Sequence, residues 1–273
     1  MSTNNRGVIL LRSPKPLDQV GALLRKNREE YAQYHGFTCI YDDSEFTETR
    51  HYTWATAYKI LEVLSNKSLD FDWMCYIGNE VIVNNFNIHP LKIMDSISNT
   101  HSVFALGEHL FPLEGAPNYW FKENSTTHTL ELVVVDYSLY LVSACGIIIR
   151  RTQDAINFFE RIINDPLFQE EPTLKILPPH LDRFQIALSY YYENYEDVHD
   201  ILCVRPASEY ACLPKGEGEV YQKLRKIMKK VVRHHYAEYF EDSFTTTIWC
   251  LSGGIDLPSI AKIVEEASTY IKR

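Results

Sequence analysis

The chain has no long uninterrupted hydrophobic segment. Near its amino terminus the longest apolar run is GVILL, which is too short for the core of a signal peptide, and no later run approaches the roughly eighteen apolar residues of a membrane-spanning helix. We therefore expect no integral membrane segment and, most simply, a cytoplasmic protein. The alternative is a chain trimmed of an anchor that a longer protein carries.

Cysteine motifs and a basic excess are also missing. The six cysteines are scattered, with no C-x-x-C pair and no histidine partners at zinc-finger spacing, so the sequence predicts neither a disulfide framework nor a structural zinc site. The formal net charge is −9. Because a surface that binds nucleic acid needs basic residues to displace counterions, we expect no nucleic-acid partner.

The chain is instead an alternation of apolar runs and amphipathic segments. Strands are predicted at GVILLRS, FTCIYDD, DWMCYI, VFALGEH, LELVVVDY, LYLVSACGIIIR and TTTIWCLSGG, and helices at 17–36, 52–66, 152–165 and 182–195. The first helix is predicted to end at Gly36. No repeat or low-complexity linker divides the chain. The pattern predicts one α/β domain with a mixed, mostly parallel sheet flanked by helices.

A small polar insert interrupts two apolar runs in WMCYIGNEVIVNN, residues 73–85. Gly78, Asn79 and Glu80 separate the predicted strand from a second apolar run. One interpretation is a plain turn with Glu80 facing water. The other is a ligand loop at the carboxyl end of a strand, which is where open α/β sheets bind their ligands.

The segment 219–240 is strongly amphipathic. Its apolar residues share one side, and basic residues that include Lys223, Lys226, Lys229, Lys230 and Arg233 cover much of the rest. The basic stripe has two interpretations. It is either a solvated helix face or a surface that holds a phosphate or makes peripheral contact with an anionic membrane.

Several short motifs, taken in order, resemble those of GT-A-fold glycosyltransferases, in the family of fungal α-galactosyl- and mannosyltransferases and plant xyloglucan xylosyltransferases. The family's Asn and YA-x-x-HGY element is matched by Asn27 and YAQYHGF, and its Trp and Lys by Trp54 and Lys59. Its LDxDxxIMN, NxGxxxxR, acidic-Gln and HFAG elements are matched by IGNEVIVNN, ACGIIIRR, DRFQIAL and CLSG. The resemblance covers nearly the whole chain. It implies a single GT-A-like domain over 1–273, with a nucleotide-binding half at 1–100 and an acceptor-binding half at 101–273.

The resemblance also implies an activity. The expected reaction moves a hexose or pentose from a nucleoside diphosphate sugar to a glycan hydroxyl, with retention of the anomeric configuration. Expected donor contacts are Arg12, Gly78, Asn79, Glu80, Gly146 and Gly253, and the expected catalytic residues are Asp182 and Gln185. Asp182 has a second interpretation, because an aspartate just before a helix is also a good helix cap.

The expected metal ligands are incomplete. In the family, two aspartates and a later histidine hold a divalent ion against the diphosphate, whereas here Gly78, Glu80 and Cys250 occupy those positions. Hard cations need anionic oxygen ligands, so Glu80 alone would hold Mn²⁺ or Mg²⁺ weakly.

Three interpretations of the incomplete ligand set stay open. The first is a transferase that uses no metal and stabilises the diphosphate with basic side chains, for which the candidates are Arg12, Lys230, Arg233 and His234. The second is a transferase whose Glu80 still binds metal, and the third is a catalytically inactive domain that binds a glycan, a nucleotide or a partner protein.

Overall fold

The computed structural model describes residues 6–12, 19–43, 50–78, 81–83, 86–97, 100–110, 118–135, 139–168, 182–206 and 245–247. Several predictions concern residues outside these ranges. They are the amphipathic segment 219–240 and the site candidates Asn79, Glu80, Lys230, Arg233, His234, Cys250 and Gly253.

Within the described ranges the chain alternates strands and helices. The strands are β1 (Gly7–Arg12), β2 (Thr38–Asp42), β3 (Trp73–Ile77), β4 (Val81–Val83), β5 (Val103–Leu110), β6 (Asn118–Asn124), β7 (Thr129–Val135), β8 (Leu139–Arg150), β9 (Leu202–Pro206) and β10 (Thr245–Thr247). The α-helices are α1 (Gln19–His35), α2 (Ala55–Ser65), α3 (Pro90–Ile97), α4 (Gln153–Asn164) and α5 (Arg183–Asn194). Short 3-10 helices occupy Tyr52–Trp54, Pro166–Phe168 and Glu196–Asp200.

The central sheet has six strands in the order β2-β1-β3-β8-β5-β9. β2, β1 and β3 are parallel neighbours, β8 runs antiparallel between β3 and β5, and β9 is parallel to β5. The predicted fold class, a mixed and mostly parallel sheet with helices around it, is therefore confirmed. The remaining described strands form two small antiparallel pairs, β4 with β10 and β6 with β7.

The two faces of the sheet carry separate apolar layers. Alternate residues of a strand point to opposite faces, so the apolar run of β1 contributes to both layers. Val8 and Leu10 join the layer that contains side chains of α2, α4 and α5, while Ile9 and Leu11 join the layer that contains side chains of α1 and α3. Burial on both faces explains why β1, β3 and the second half of β8 are nearly continuous apolar runs.

The helix boundaries follow local chemistry. α1 ends where Gly36 has a φ of +72°, a left-handed conformation that glycine adopts without steric cost. Thr152 caps α4 by accepting a hydrogen bond from the backbone N–H of Ala155 at 3.1 Å. Among the described helices, none has the length and apolar character needed to cross a membrane.

The sequence patterns do not predict α3, β6 or β9. α3 has only eight residues, and β9 is a five-residue strand at the edge of the sheet. β6 reads NYWFKEN and lacks a regular alternation of apolar and polar residues. Its pairing with β7, and not its own sequence period, makes it a strand.

One edge of the sheet gathers the features that matter for a ligand site. The carboxyl ends of parallel strands meet at the same edge, so β1, β2 and β3 end together at Arg12, Asp42 and Ile77. β8 runs in the opposite direction and places Gly146 opposite Ile77. Gly78 follows immediately at this edge, which we call the carboxyl edge.

Candidate functional site

Two adjacent residues of α1 hold the backbone that leaves β3. Arg28 donates hydrogen bonds from Nη1 to the carbonyl oxygens of Gly78, at 2.7 Å, and Ile77, at 3.1 Å. Asn27 pairs with both backbone groups of Val83: its Nδ2 donates to the carbonyl at 3.2 Å, and its Oδ1 accepts from the N–H at 2.8 Å. Both side chains are buried. Together they fix the backbone on each side of the polar insert.

The same face of α1 holds the chain further along. Tyr31 donates its hydroxyl to the carbonyl of Ile88 at 2.7 Å, and the Nε2–H tautomer of His35 donates to the carbonyl of Phe86 at 2.6 Å. Tyr34 donates to the side chain of Asn87 at 2.9 Å. Residues three and four apart share one side of a helix. We call this the anchoring face of α1, formed by Asn27, Arg28, Tyr31, Tyr34 and His35.

The anchoring face explains part of the resemblance in physical terms. Asn27 and the YAQYHGF element, which matched the family by order alone, bind backbone and side-chain groups of residues 83–88. Arg28 was not among the predicted site residues. Arg28 follows Asn27 directly, and it lies three residues before Tyr31, which lies four before His35. This helical spacing is the feature of the sequence that would have singled out Arg28.

Gly78 lies in close contact with β8. Its N–H donates to the carbonyl oxygen of Cys145 at 2.7 Å. A Cβ atom on residue 78 would lie 3.0 Å from that oxygen and 3.3 Å from the Cα of Cys145. A side chain here would require the backbone of β8 to shift. An aspartate at the first position of the family's metal motif therefore does not fit without rearrangement.

Arg12, predicted as a donor contact, already has an ionic partner. Its Nε donates to Oδ2 of Asp42 at 3.1 Å, and the side chains are only 11% and 5% exposed. The pair joins the ends of β1 and β2. Its positive charge is thus shared with a carboxylate and is not wholly free for a phosphate.

Asp182 caps α5 and also lies near Arg12. Its Oδ1 accepts a hydrogen bond from the backbone N–H of Gln185 at 3.0 Å. Burial raises the pKa of Asp182 to about 6, although hydrogen bonds from the backbone and the charges of Arg12 and Arg183 lower it. The capping interpretation is therefore observed. The backbone N–H groups of Gln185 and Phe184 both act on this carboxylate, which also lies close enough to Arg12 to be affected by its charge.

Gln185 contributes backbone groups to this helix start. Besides its N–H bond to Asp182, its carbonyl accepts a hydrogen bond from Ser189 Oγ at 2.7 Å. That same Ser189 oxygen accepts from the N–H of Val142 at 2.8 Å, which ties α5 to β8. The first turn of α5 is thus fixed against the sheet.

The residues between Asp182 and Gln185 are buried. Arg183 is 5% exposed, and its backbone N–H donates to Thr53 Oγ1 at 3.0 Å. Phe184 is fully buried, with its ring 6.2 Å from that of Trp54. These positions, which are acidic in many members of the resembling family, provide no carboxylate here. Trp54 is a core residue, while Lys59 pairs with Glu62 at 2.8 Å.

Four of the predicted residues come together at the carboxyl edge. Arg12 and Gly78 follow the ends of β1 and β3, Gly146 lies opposite β3 on β8, and Asp182 begins α5. Tyr76 lies among them: the charges of Arg12 and Asp182 both act on the pKa of its hydroxyl, which burial raises. Four motifs that are far apart in the sequence therefore contribute residues to the carboxyl edge of the sheet.

The described residues do not match the ligand set of a divalent ion. Gly78 brings no ligand, and in the part of the chain that the structure describes there is no group of three or more His, Cys, Asp or Glu side chains that could hold a metal. Asp42 at the same edge is already paired with Arg12. Glu80 and Cys250 lie outside the described ranges.

The architecture is that of a GT-A-like glycosyltransferase fold. Comparison with solved structures supports this class: the chain is similar over 97% of its length to 99% of a glycosyltransferase involved in the glycosylation of the major capsid of PBCV-1, with a TM-score of 0.55 and 13% identity. At this identity the likeness establishes the fold alone. No protein-family model and no curated protein sequence matches the chain.

Two further glycosyltransferase structures are more distant. The chain aligns over 97% of its length with 60% of GlyE from Streptococcus pneumoniae TIGR4, at a TM-score of 0.47 and 10% identity. It aligns over 89% of its length with 96% of mouse xyloside xylosyltransferase 1, at a TM-score of 0.40 and 8% identity. Neither adds to the assignment of the fold.

The close approach at Gly78 yields a prediction about stability. Gly78→Ala should lower the free energy of unfolding by about 1–3 kcal/mol, because the new methyl group would press against the Cys145 carbonyl. Gly146→Ala is the matched control on the neighbouring strand, since a Cβ there meets nothing within 4 Å. Urea unfolding of the two variants and the wild type measures both values. Equal stabilities of the two variants would contradict the packing described here.

Proposed function

We propose that the protein is a glycosyltransferase that binds a nucleoside diphosphate sugar at the carboxyl edge and transfers its hexose or pentose to a glycan hydroxyl. The observation that carries this proposal is the convergence of Arg12, Gly78, Gly146 and Asp182 at that edge. Ligands of open α/β sheets bind outside the carboxyl ends of the strands. The GT-A-like fold supports the proposal, and the resemblance suggests retention of the anomeric configuration.

The proposed chemistry does not depend on a metal ion. Breaking the bond between sugar and diphosphate develops negative charge on the leaving group, and fixed positive groups can stabilise that charge. Gly78 supplies no metal ligand, whereas Arg12 supplies a cation at the same edge. In the proposal, the basic candidates Lys230, Arg233 and His234 provide further positive charge. Glu80 then serves as a contact to the donor's sugar or ribose.

Asp182 has the position and charge to orient the transferred sugar. Its pKa of about 6 leaves it ionised at neutral pH, and a carboxylate accepts hydrogen bonds from sugar hydroxyls. Oδ1 is used for the cap on α5, and Oδ2 is the oxygen proposed for the donor. In this proposal Gln185 contacts the same sugar from the first turn of α5.

A second candidate function is a non-catalytic binding protein with the same fold. In its favour, Gly78, Arg183 and Phe184 stand where the resemblance implies acidic residues, and the side chains of Arg183 and Phe184 are buried. Such a protein would bind a glycan, a nucleotide or a partner protein without transferring a sugar. Binding and turnover measurements distinguish it from an enzyme.

The donor prediction is tested by a screen of UDP- and GDP-sugars, with manganese or with EDTA. At a hundredfold excess over its Kd, the matching nucleoside diphosphate should raise the melting temperature by about 5 °C or more. We expect consumption of that donor to continue in EDTA. Binding without consumption in the presence of glycan acceptors would favour the second candidate. If no donor raises the melting temperature and none is consumed, the proposed function is contradicted.

Asp182→Asn separates helix capping from sugar contact. Asparagine caps a helix as well as aspartate does, so α5 should remain intact while transfer falls at least tenfold, by about 1.4 kcal/mol or more of transition-state stabilisation. In the wild type, transfer should rise as the pH rises through about 6, because the carboxylate forms there. The variant should lose that rise.

The pH dependence of the unfolding free energy of the same variant tests the raised pKa of Asp182. Because the folded-state pKa of Asp182 is raised from 3.8 to about 6, ionisation removes stability as the pH rises from about 4 to 6. Asp182→Asn should lack this loss. Asp165→Asn is the matched control, since Asp165 follows α4, accepts a hydrogen bond from the N–H of Leu167 and accepts another from the hydroxyl of Tyr191 in the last turns of α5. If the control impairs transfer equally, Asp182 has no special role.

A further inference from the structure

Arg28 is a fully buried cation that is held by carbonyl groups. Its Nε donates to the carbonyl of Leu24 in its own helix at 3.1 Å, and its Nη1 donates to the carbonyls of Ile77 and Gly78. Among the described residues, no carboxylate forms an ion pair with it. Burial lowers the pKa of the Arg28 guanidinium to about 10, so it remains charged at neutral pH.

Such a charge is costly to bury without a carboxylate partner. Two other arginines that donate mainly to carbonyls have partial exposure and an aromatic ring beneath them: Arg50 lies 3.8 Å from the ring of Trp54, and Arg151 lies 4.4 Å from that of Phe71. A neutral side chain can also hold buried backbone, because the amide of Asn27 makes hydrogen bonds to both backbone groups of Val83. Hydrogen bonding alone therefore does not explain the charge of Arg28.

The location of Arg28 suggests what the charge does. The guanidinium lies against the carbonyl of Gly78, at the carboxyl edge, where β8 approaches through Cys145. The described charges of this edge are balanced: Asp42 pairs with Arg12, and the charges of Arg12 and Arg183 both act on Asp182. Arg28 adds a further positive charge, which would attract an anionic group that binds there.

We propose that Arg28 is a positioning residue of the donor site: it fixes the backbone of Ile77 and Gly78 and supplies a permanent positive charge that favours a diphosphate over an uncharged nucleoside. This inference rests on the proposed function. In a protein interior of intermediate dielectric, a positive charge about 10 Å from a bound phosphate group increases the affinity for that group on the order of tenfold.

The test compares Arg28→Gln with Arg28→Lys, which keeps the charge. For each variant, the affinities for UDP and uridine, or for GDP and guanosine, are measured by calorimetry at 10 °C after the fold is verified by a cooperative melt. In Arg28→Gln the preference for the diphosphate over the nucleoside should fall about tenfold or more. In Arg28→Lys it should stay within about threefold of the wild type.

Arg151→Gln is the matched control. Arg151 also donates to backbone carbonyls, of Leu64 and Asn66 among others, but it follows the carboxyl end of β8 and so lies at the opposite edge of the sheet. This variant should lose stability and keep the diphosphate preference. A merely structural role for Arg28 would give the two glutamine variants the same behaviour.

The outcomes separate the inference from the proposed function. If the wild type binds no diphosphate and consumes no donor, the proposed function fails and this inference fails with it. If the wild type binds but folded Arg28→Gln keeps the full diphosphate preference, only the inference is overturned. Should Arg28→Gln not fold at 10 °C, Arg28→Met takes its place: a tenfold lower preference than that of Arg28→Lys supports the inference, and equal preferences overturn it.

Discussion

The arrangement of the site depends on the hydrogen bonds between the anchoring face of α1 and the backbone after β3. Five side chains on one helix face bind groups between Ile77 and Ile88, some 50 residues further along the chain. Buried backbone groups must find partners, and the residues after β3 no longer belong to the ladder of the central sheet. The helix supplies those partners, so the position of Gly78 is set by α1 as much as by β3.

This constraint has a consequence for chemistry at the carboxyl edge. Because Arg28 and the N–H bond to Cys145 hold Gly78 close to both α1 and β8, a side chain at this position would press against the backbone of β8. The same contacts bring a permanent cation to that place. The absence of a side chain at residue 78 and the burial of Arg28 thus belong to one local structure.

Much of the fold follows from local patterns. The continuous apolar runs of β1 and β3 predict strands buried on both faces, and Gly36 predicts the end of α1; all three are confirmed. The fold class follows from the strand-helix-strand opening. By contrast, β6 and β9 depend on their neighbours in a sheet, which no local pattern contains.

The site is only partly predictable for the same reason. The resemblance singles out Gly78 and Asp182, and their role as site residues stays a prediction. Spacing alone does not reveal that Asp182 caps α5 while lying near Arg12. Arg28 is missed because arginine is normally exposed. Its burial results from carbonyl groups 49 and 50 residues away, which only the folded chain brings within reach.

The central claim is that a donor binds at the carboxyl edge, against backbone held by α1. Hydrogen–deuterium exchange of the protein with and without the nucleoside diphosphate that binds it tests this claim most directly. We expect slower exchange in peptides that cover 76–83 and 143–147 when the nucleotide is present. Protection confined to other regions, such as the β6–β7 hairpin at 118–135, would contradict it.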